Sequence, residues 1–223
     1  MRVKLLFNTK VKQRMGIKGW HYSVLRSSIF KKMLDLVPEG FIHTDHEFAS
    51  YTELPDGSVR VNFTDGNTVI GDILVGADGI RSGVSRQAFG DLGLFHTGMR
   101  LWLAWCDADA ASFFLMLHDG KPGFEWWVVE PSWEGKPPMP RFTGVTDFDT
   151  QVYRWEIYNW PLMKKWSKGR VVCVRDAVHS ISPYAAYGMG MAIEDGYYLP
   201  RALNGVDLRN RQAVAAGFEV YKS

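Results

Sequence analysis

Two segments of the chain carry residues whose types and order could hold a ligand. The first is "GRVVCVRDAVHSISPYAAYGMGMAIEDGYYL", Gly169 to Leu199. "RVVCV" has the composition of a buried strand, and Asp176 stands just past its carboxyl end. In open α/β sheets ligands bind at that edge. An aspartate there accepts hydrogen bonds from sugar-like hydroxyls. Pro183 interrupts any helix. A new helix is predicted to begin near Gly188, with Met191, Ile193, Tyr198 and Leu199 on its packing face. Around Met189, Gly188 and Gly190 leave no side chain where backbone amides would approach a ligand. The helix start adds unpaired N–H groups and a partial positive charge, which suits an anionic group. Each residue alone also fits a plain strand–loop–helix connection; the ordered set points to a ligand.

The second segment is "ILVGADGIRSGVSRQ", Ile73 to Gln87. A buried strand ends in Gly76-Ala77-Asp78-Gly79. Arg81 and Arg86 follow, and Ser82 can start a helix. Asp78 would face the same strand edge as Asp176. The bland reading is a tight strand–turn–helix with solvated arginines. Other candidates are weaker. "HTDH", His43 to His46, offers two histidines where a metal site needs three or four convergent ligands, so a solvated turn is expected. Nothing in sequence sets a nucleophile beside His179, so positioning or packing is its expected role. Glu194 and Asp195 adjoin each other and point to different helix faces, so they form no acid–base pair. No residue is assigned as catalytic and no metal is expected.

The elements that position these segments follow from pattern. Val3, Leu5 and Phe7 alternate with Arg2, Lys4 and Asn8, which favours a strand with one wet face. The same region has nine Lys or Arg and no acid before Asp35; a presequence or a polybasic arm would read alike. A turn-rich stretch surrounds Gly16 and Gly19. "SVLRSSIFKKMLDLVPEG" reads as a short amphipathic helix, with Ile29, Phe30, Met33, Leu34 and Val37 on one face. Ser27 or Ser28 could cap it, and Pro38 with Gly40 ends it. "HEFASYTEL", "VRVNF" and "TVIGDILVGADG" are strands joined by the Asp-Gly turns "PDGS" and "TDGN". Consecutive Ile73, Leu74 and Val75 suggest a strand covered on both faces. Eight of the nine tryptophans fall between Gly98 and Trp166. There "MRLWLAW" and "FEWWVVE" read as strands and "EGKPPMPR" as a loop, which suggests a separate sheet.

Bulk properties bound the function. The 223 residues accommodate one or two domains with a real core. Hydrophobic residues make up 46% and charged residues 22%, as in ordinary globular proteins. The net charge of +2 argues against nucleic acid as a main partner. No apolar run approaches the roughly 18 residues of a membrane span. Cys106 and Cys173 give neither a disulfide framework nor metal spacing, so a reducing, cytoplasmic setting is expected.

Together the two segments resemble the FAD-dependent aromatic hydroxylases, the single-component flavoprotein monooxygenases of the salicylate and p-hydroxybenzoate hydroxylase kind. "VGADGIRSGVSR" is similar to that family's Asp-Gly motif. "GRVVCVRDAVHSISPYAAYGMGMAIEDGYYLPRAL" is similar to its late flavin motif. "WHYSVLRSSIFKKML" resembles its Arg-containing helix start. The resemblance implies that Arg26 lies near the FAD pyrophosphate and that Asp78, Gly79 and Arg81 organise the phosphates and the NAD(P)H approach. It implies that Asp176 binds the ribityl chain, and that Pro183 and Gly188, Met189 and Gly190 border the isoalloxazine. It further implies NAD(P)H as transient reductant and a small aromatic or polyketide-like substrate to be hydroxylated or epoxidised.

The implied fold is α/β: an incomplete Rossmann-like FAD-binding domain over 1–97 and 167–223, with an inserted β-sheet substrate domain over 98–166. The strand at 1–9 could join the substrate sheet. The family's opening Gly-x-Gly-x-x-Gly unit has no counterpart here: the sole Gly-x-Gly is Gly188-Met189-Gly190, and the position three beyond is Ile193. Arg175 and Ala186 stand where the late motif usually has glycine. The expectation is a shortened or split monooxygenase that, alone, binds FAD weakly or not at all and associates, as a homo-oligomer or with a partner chain supplying the missing segment. The alternative is a non-catalytic remnant or binding protein of the same fold that has lost tight FAD binding.

Overall fold

The computed structural model describes residues 26–107, 116–118, 121–131, 152–182 and 187–222, with side chains over 29–103, 153–182 and 187–222. The predicted strand at 1–9, the turns near Gly16 and Gly19, the "EGKPPMPR" loop and Pro183 lie outside the described residues. The chain divides into two units, Met1–Ile42 with Met99–Glu156, and His43–Gly98 with Ile157–Ser223.

The second unit holds most of the residues singled out above. It opens with a meander of β1 (Phe48–Glu53), β2 (Val59–Phe63) and β3 (Thr68–Gly71), paired antiparallel in that order. Both Asp-Gly turns form as the sequence predicts. Gly57 and Gly66 take φ of +85° and +86°, a region that disfavours side chains. The Asp56 and Asp65 carboxylates each accept a backbone N–H two residues on, both at 2.9 Å.

A second sheet has the order β4 (Leu74–Gly76), β10 (Val171–Cys173), β9 (Ser167–Lys168). β4 and β10 are parallel, with Cys173 opposite Gly76. Parallel neighbours put their carboxyl ends at one edge, and that edge is where Asp78 and Asp176 follow. β10 is fully buried because its alternate residues serve two cores. Val171 and Cys173 pack with Val84 and Ala88 of α2 (Gly83–Phe89). Val172 and Val174 pack with Leu199 of α3 (Gly188–Ala202) and with Val214, Phe218 and Tyr221 of α4 (Arg211–Lys222). Helices on both faces of a parallel pair make the architecture α/β.

The sequence reading needs correction in this unit at two points. Val75 was expected under cover on both faces, yet it is 41% exposed. It pairs with Val172, but unlike Val172 it lies outside the cluster that packs on α3 and α4. On α3, Leu199 is buried while Ile193 and Tyr198 face outward, at 47% and 54% exposure.

The first unit holds α1 (Arg26–Leu34) and most of a four-stranded sheet, order β6-β7-β5-β8. β5 (Phe95–Asp107) and β7 (Lys121–Pro131) form its long antiparallel ladder, with Trp102 opposite Val128 and Leu103 opposite Trp127. β6 (Met116–His118) and β8 (Val152–Asn159) flank them. Arg100, 8% exposed, pairs through Nε with Glu156 Oε1 at 2.6 Å. Ser27 and Ser28 lie inside α1 and so do not cap it. Its apolar residues Phe30 and Met33 are exposed.

Candidate cofactor site

The site is built around the turn that follows β10. Val174 N–H donates to Gly76 O at 3.0 Å, which locks the two strand ends together. A single 3-10 turn, Arg175–Ala177, comes next. Arg175 has φ of +54°, the left-handed region that glycine enters at least cost. The backbone thus keeps the shape of the glycine expected there, with an arginine in its place.

Asp176 is held by its backbone. Its carbonyl accepts the Trp160 indole N–H at 3.1 Å, and the next two side chains, Ala177 and Val178, are buried. Its carboxylate is 44% exposed. Oδ1 lies 3.2 Å from Arg175 Nη2, off hydrogen-bond geometry, and makes no hydrogen bond among the described residues.

α3 begins beside this turn. No side chain caps it and no acid stands in its first turn. Its first amides are therefore open donors among the described residues. A Cβ on Gly188 would meet Arg175 Nη2 at 3.2 Å, so the guanidinium already occupies part of that approach. A Cβ on Gly190 would come within 2.6 Å of the Tyr187 ring, so Gly190 makes room for Tyr187. Met189 is exposed.

Asp78 has a different local role. Its carboxylate accepts from Ser82 Oγ at 2.5 Å, Gly83 N–H at 2.7 Å and Val84 N–H at 3.2 Å. Ser82 Oγ in turn accepts Ser85 N–H at 2.8 Å. These bonds satisfy the orphan donors that open α2. Gly79 turns at φ +78° with open space where a side chain would be, and Arg81 is exposed. Gly76 is required by packing, since a Cβ there would sit 2.8 Å from Val84 Cγ1. Arg26 opens α1 in the first unit, and its side chain lies outside the described set. The HTDH segment turns through Asp45, φ +66°, and His46 Nδ1 lies 2.6 Å from Asp65.

Sequence reasoning missed the group behind the turn. Asp195 Oδ2 accepts Arg175 N–H at 2.9 Å and lies 3.0 Å from His179 Nε2. That His contact has ion-pair distance without hydrogen-bond alignment. The Tyr221 hydroxyl faces the same carboxylate. His179 stacks on Trp166 at 4.4 Å between centroids. Burial raises the Asp195 carboxyl, but His179, Tyr221 and the Arg175 N–H outweigh it and hold it below the usual carboxylate range. A usable signal existed: Asp195 sits four residues before buried Leu199 and therefore on the packed face of α3. Cys173 is buried and free; burial, then the Asp78 charge, pushes its thiol up to about 12.

An open groove of about 520 Å³, lined by Phe89, Leu92, Leu162, Met163, Lys164 and Lys168 among others, contains none of these residues. The candidate site rests on the strand edge, where hydrogen-bonding groups converge, and not on cavity size.

Residues 139–222 match the family model described as FAD binding domain. The chain is 27% identical to a 3-amino-4-hydroxybenzoate 2-monooxygenase of Streptomyces platensis, over 84% of this chain and 56% of that protein. It is 26% identical to a 6-hydroxynicotinate 3-monooxygenase of Bordetella bronchiseptica, over 91% of this chain and 61% of that protein.

This chain is related to the FAD-dependent aromatic monooxygenases.

These relatives are enzymes, and FAD is the cofactor named by the matched domain. A chloroplastic zeaxanthin epoxidase of Nicotiana plumbaginifolia is 28% identical over 81% of this chain and 32% of that protein. The chain thus spans from about a third to three fifths of the length of these curated relatives. Among solved structures, HpxO of Klebsiella pneumoniae complexed with FAD and uric acid superposes with TM-score 0.71 at 22% identity, covering 96% of this chain and 61% of that one. A salicylate hydroxylase substrate complex gives TM-score 0.64 at 17% identity, covering 88% and 60%. These two superpositions show a shared fold. No helix among the described residues is long and apolar enough to cross a membrane.

The edge residues fit FAD as far as their chemistry goes. A half-exposed acceptor carboxylate and a run of open helix N–H groups match hydroxyl donors and an anionic group respectively.

Proposed function

We propose that the β4/β10 edge of this flavoprotein relative is the flavin side of a monooxygenase site. The observation that carries the reading is the Asp176 carboxylate, half-exposed as a side chain and with its inner oxygen Oδ1 making no hydrogen bond among the described residues, next to the uncapped start of α3. Asp176 would accept hydrogen bonds from the ribityl hydroxyls. The amides of Gly188, Met189 and Gly190 would donate to negative charge on the flavin ring. Bound FAD would supply redox chemistry and oxygen activation, with NAD(P)H as reductant. The protein's own part is orientation and water exclusion. The substrate class we propose is a small aromatic or polyketide-like molecule, hydroxylated or epoxidised. The tryptophan-rich sheet of the first unit is proposed as the substrate domain. Asp78 and Arg81 are proposed to serve the phosphates, Asp78 through the turn it braces.

A second reading, a binding protein of the same fold without catalysis, is favoured by one feature. Arg175 stands at the glycine position, and its guanidinium lies where a ligand would approach Gly188. Titration of the purified chain with FAD, followed by NAD(P)H oxidation with a panel of phenolic and heteroaromatic acids, separates the two. Saturable FAD binding with substrate-stimulated oxidation supports the monooxygenase. FAD binding without any oxidation favours the second reading, and no FAD binding contradicts the monooxygenase and leaves the second reading standing.

A further inference from the structure

Asp195 belongs to α3, yet its bonds are made to the turn after β10. Oδ2 accepts the Arg175 N–H at 2.9 Å, so it fixes the peptide entering a residue at φ +54°. An arginine disfavours that region and needs an external hold. The same carboxylate is 13% exposed and lies 3.0 Å from His179 Nε2. His179 is itself clamped by stacking on Trp166, and its backbone N–H donates to Arg175 O at 2.8 Å. Tyr221 of α4 closes the far side. Arg175 N–H, His179 and Tyr221 all face Asp195, and each can donate to it. The Arg175–His179 stretch, which includes Asp176, therefore meets one largely buried carboxylate at both of its ends.

We propose that Asp195 is a positioning residue for flavin binding: it holds the Arg175–Asp176 turn in its left-handed form and so aims the Asp176 carboxylate. This rests on the flavin reading above. Asp195 touches no ligand itself; its effect is transmitted through the Arg175 N–H to Asp176. The inference also explains how the chain tolerates arginine where a glycine is expected.

The test has one arm without cofactor and one with it. By amide hydrogen exchange on the chain alone, Asp195→Asn should speed exchange at Arg175 about tenfold or more and leave Leu199 unchanged. Unchanged protection at Arg175 overturns the proposal. In FAD titrations Asp195→Asn should weaken binding about tenfold, but less than twofold in an Asp176→Ala background, because the effect runs through Asp176. A merely structural role would give the same factor in both backgrounds and would overturn the proposal. In an Arg175→Gly background Asp195→Asn should change FAD affinity less than twofold relative to Arg175→Gly alone, since glycine adopts φ +54° unaided. If Asp195→Asn fails to fold, the double variant carries the test: binding equal to that of Arg175→Gly alone supports the role, and binding about tenfold weaker than Arg175→Gly alone overturns it. A wild type that binds FAD with Asp195→Asn unchanged overturns the role of Asp195 alone. A wild type that binds no FAD at millimolar concentration overturns the flavin reading and this role with it.

Discussion

Replacing Arg175 by glycine probes the site where sequence and backbone disagree most. Three terms set its effect on stability. Relief of the left-handed conformation gains about 1–2 kcal/mol. The added freedom of glycine in the unfolded chain costs about 0.4–1 kcal/mol. The ion pair with Asp176, whose carboxylate is 44% exposed, is worth about 0–1 kcal/mol. The net lies within about 1–2 kcal/mol of zero, so the melting temperature should move by less than roughly 8 °C. The effect on binding should be larger. Removing the guanidinium clears the approach to Gly188 and frees Asp176 Oδ1. One recovered charge-assisted hydrogen bond, about 1.5–3 kcal/mol, corresponds to an affinity gain of roughly tenfold to a hundredfold. Flavin fluorescence titration beside thermal melting reads both quantities. Weaker FAD binding by a variant with near-unchanged melting would refute the crowding argument and make Arg175 a partner of the cofactor's charge.

Further expected outcomes separate binding from folding. Asp176→Ala should weaken FAD binding more than Asp78→Ala does, whereas Asp78→Ala should lower stability by about 1–2 kcal/mol through the lost α2 bonds; titration and urea unfolding of both variants check the contrast, and equal or reversed binding losses count against it. Phe218→Ala, at a site 1% exposed, should cost about 3–5 kcal/mol, read as a large fall in urea midpoint. Asp195 titrates below its unfolded value of about 3.9, so its ionised form stabilises the fold above that value and the benefit fades as pH falls through the lower folded value. The stability gap between wild type and Asp195→Asn should accordingly be full above about pH 5 and close in acid, as urea unfolding against pH will show. Cys173, with its thiol pushed up to about 12, should resist alkylation at neutral pH until the chain unfolds; fast native labelling, read by peptide mass mapping, would contradict its burial.

How much of this was legible in the sequence depended on how local the physics is. The Asp-Gly hairpins were legible because glycine at positive φ and aspartate bonding two residues on are decided within four residues. The buried strand at Val171–Cys173 was legible from its unbroken apolar run, and the start of α3 from Gly188. The cover on Val75 and the outward turn of Ile193 and Tyr198 were not, because they depend on how far α3 and α4 reach across the sheet. Asp78 and Asp176 were correctly brought to one strand edge, but their division of labour was only partly visible. Asp78 is engaged by amides five and six residues on, while Asp176 is held through its backbone by Trp160, sixteen residues away. Asp195 was set aside as one of two adjacent acids, since its partners Arg175, His179 and Tyr221 come from three separate stretches of chain.

The central claim is that flavin binds at the β4/β10 edge, on Asp176 and the start of α3. Amide NMR spectra recorded while FAD is added to the chain, up to millimolar concentration, test it without requiring tight binding or turnover. The account expects progressive shifts at Asp176 and at Gly188, Met189 and Gly190, lost in Asp176→Ala. Shifts confined to other regions, or unchanged by Asp176→Ala, would contradict it.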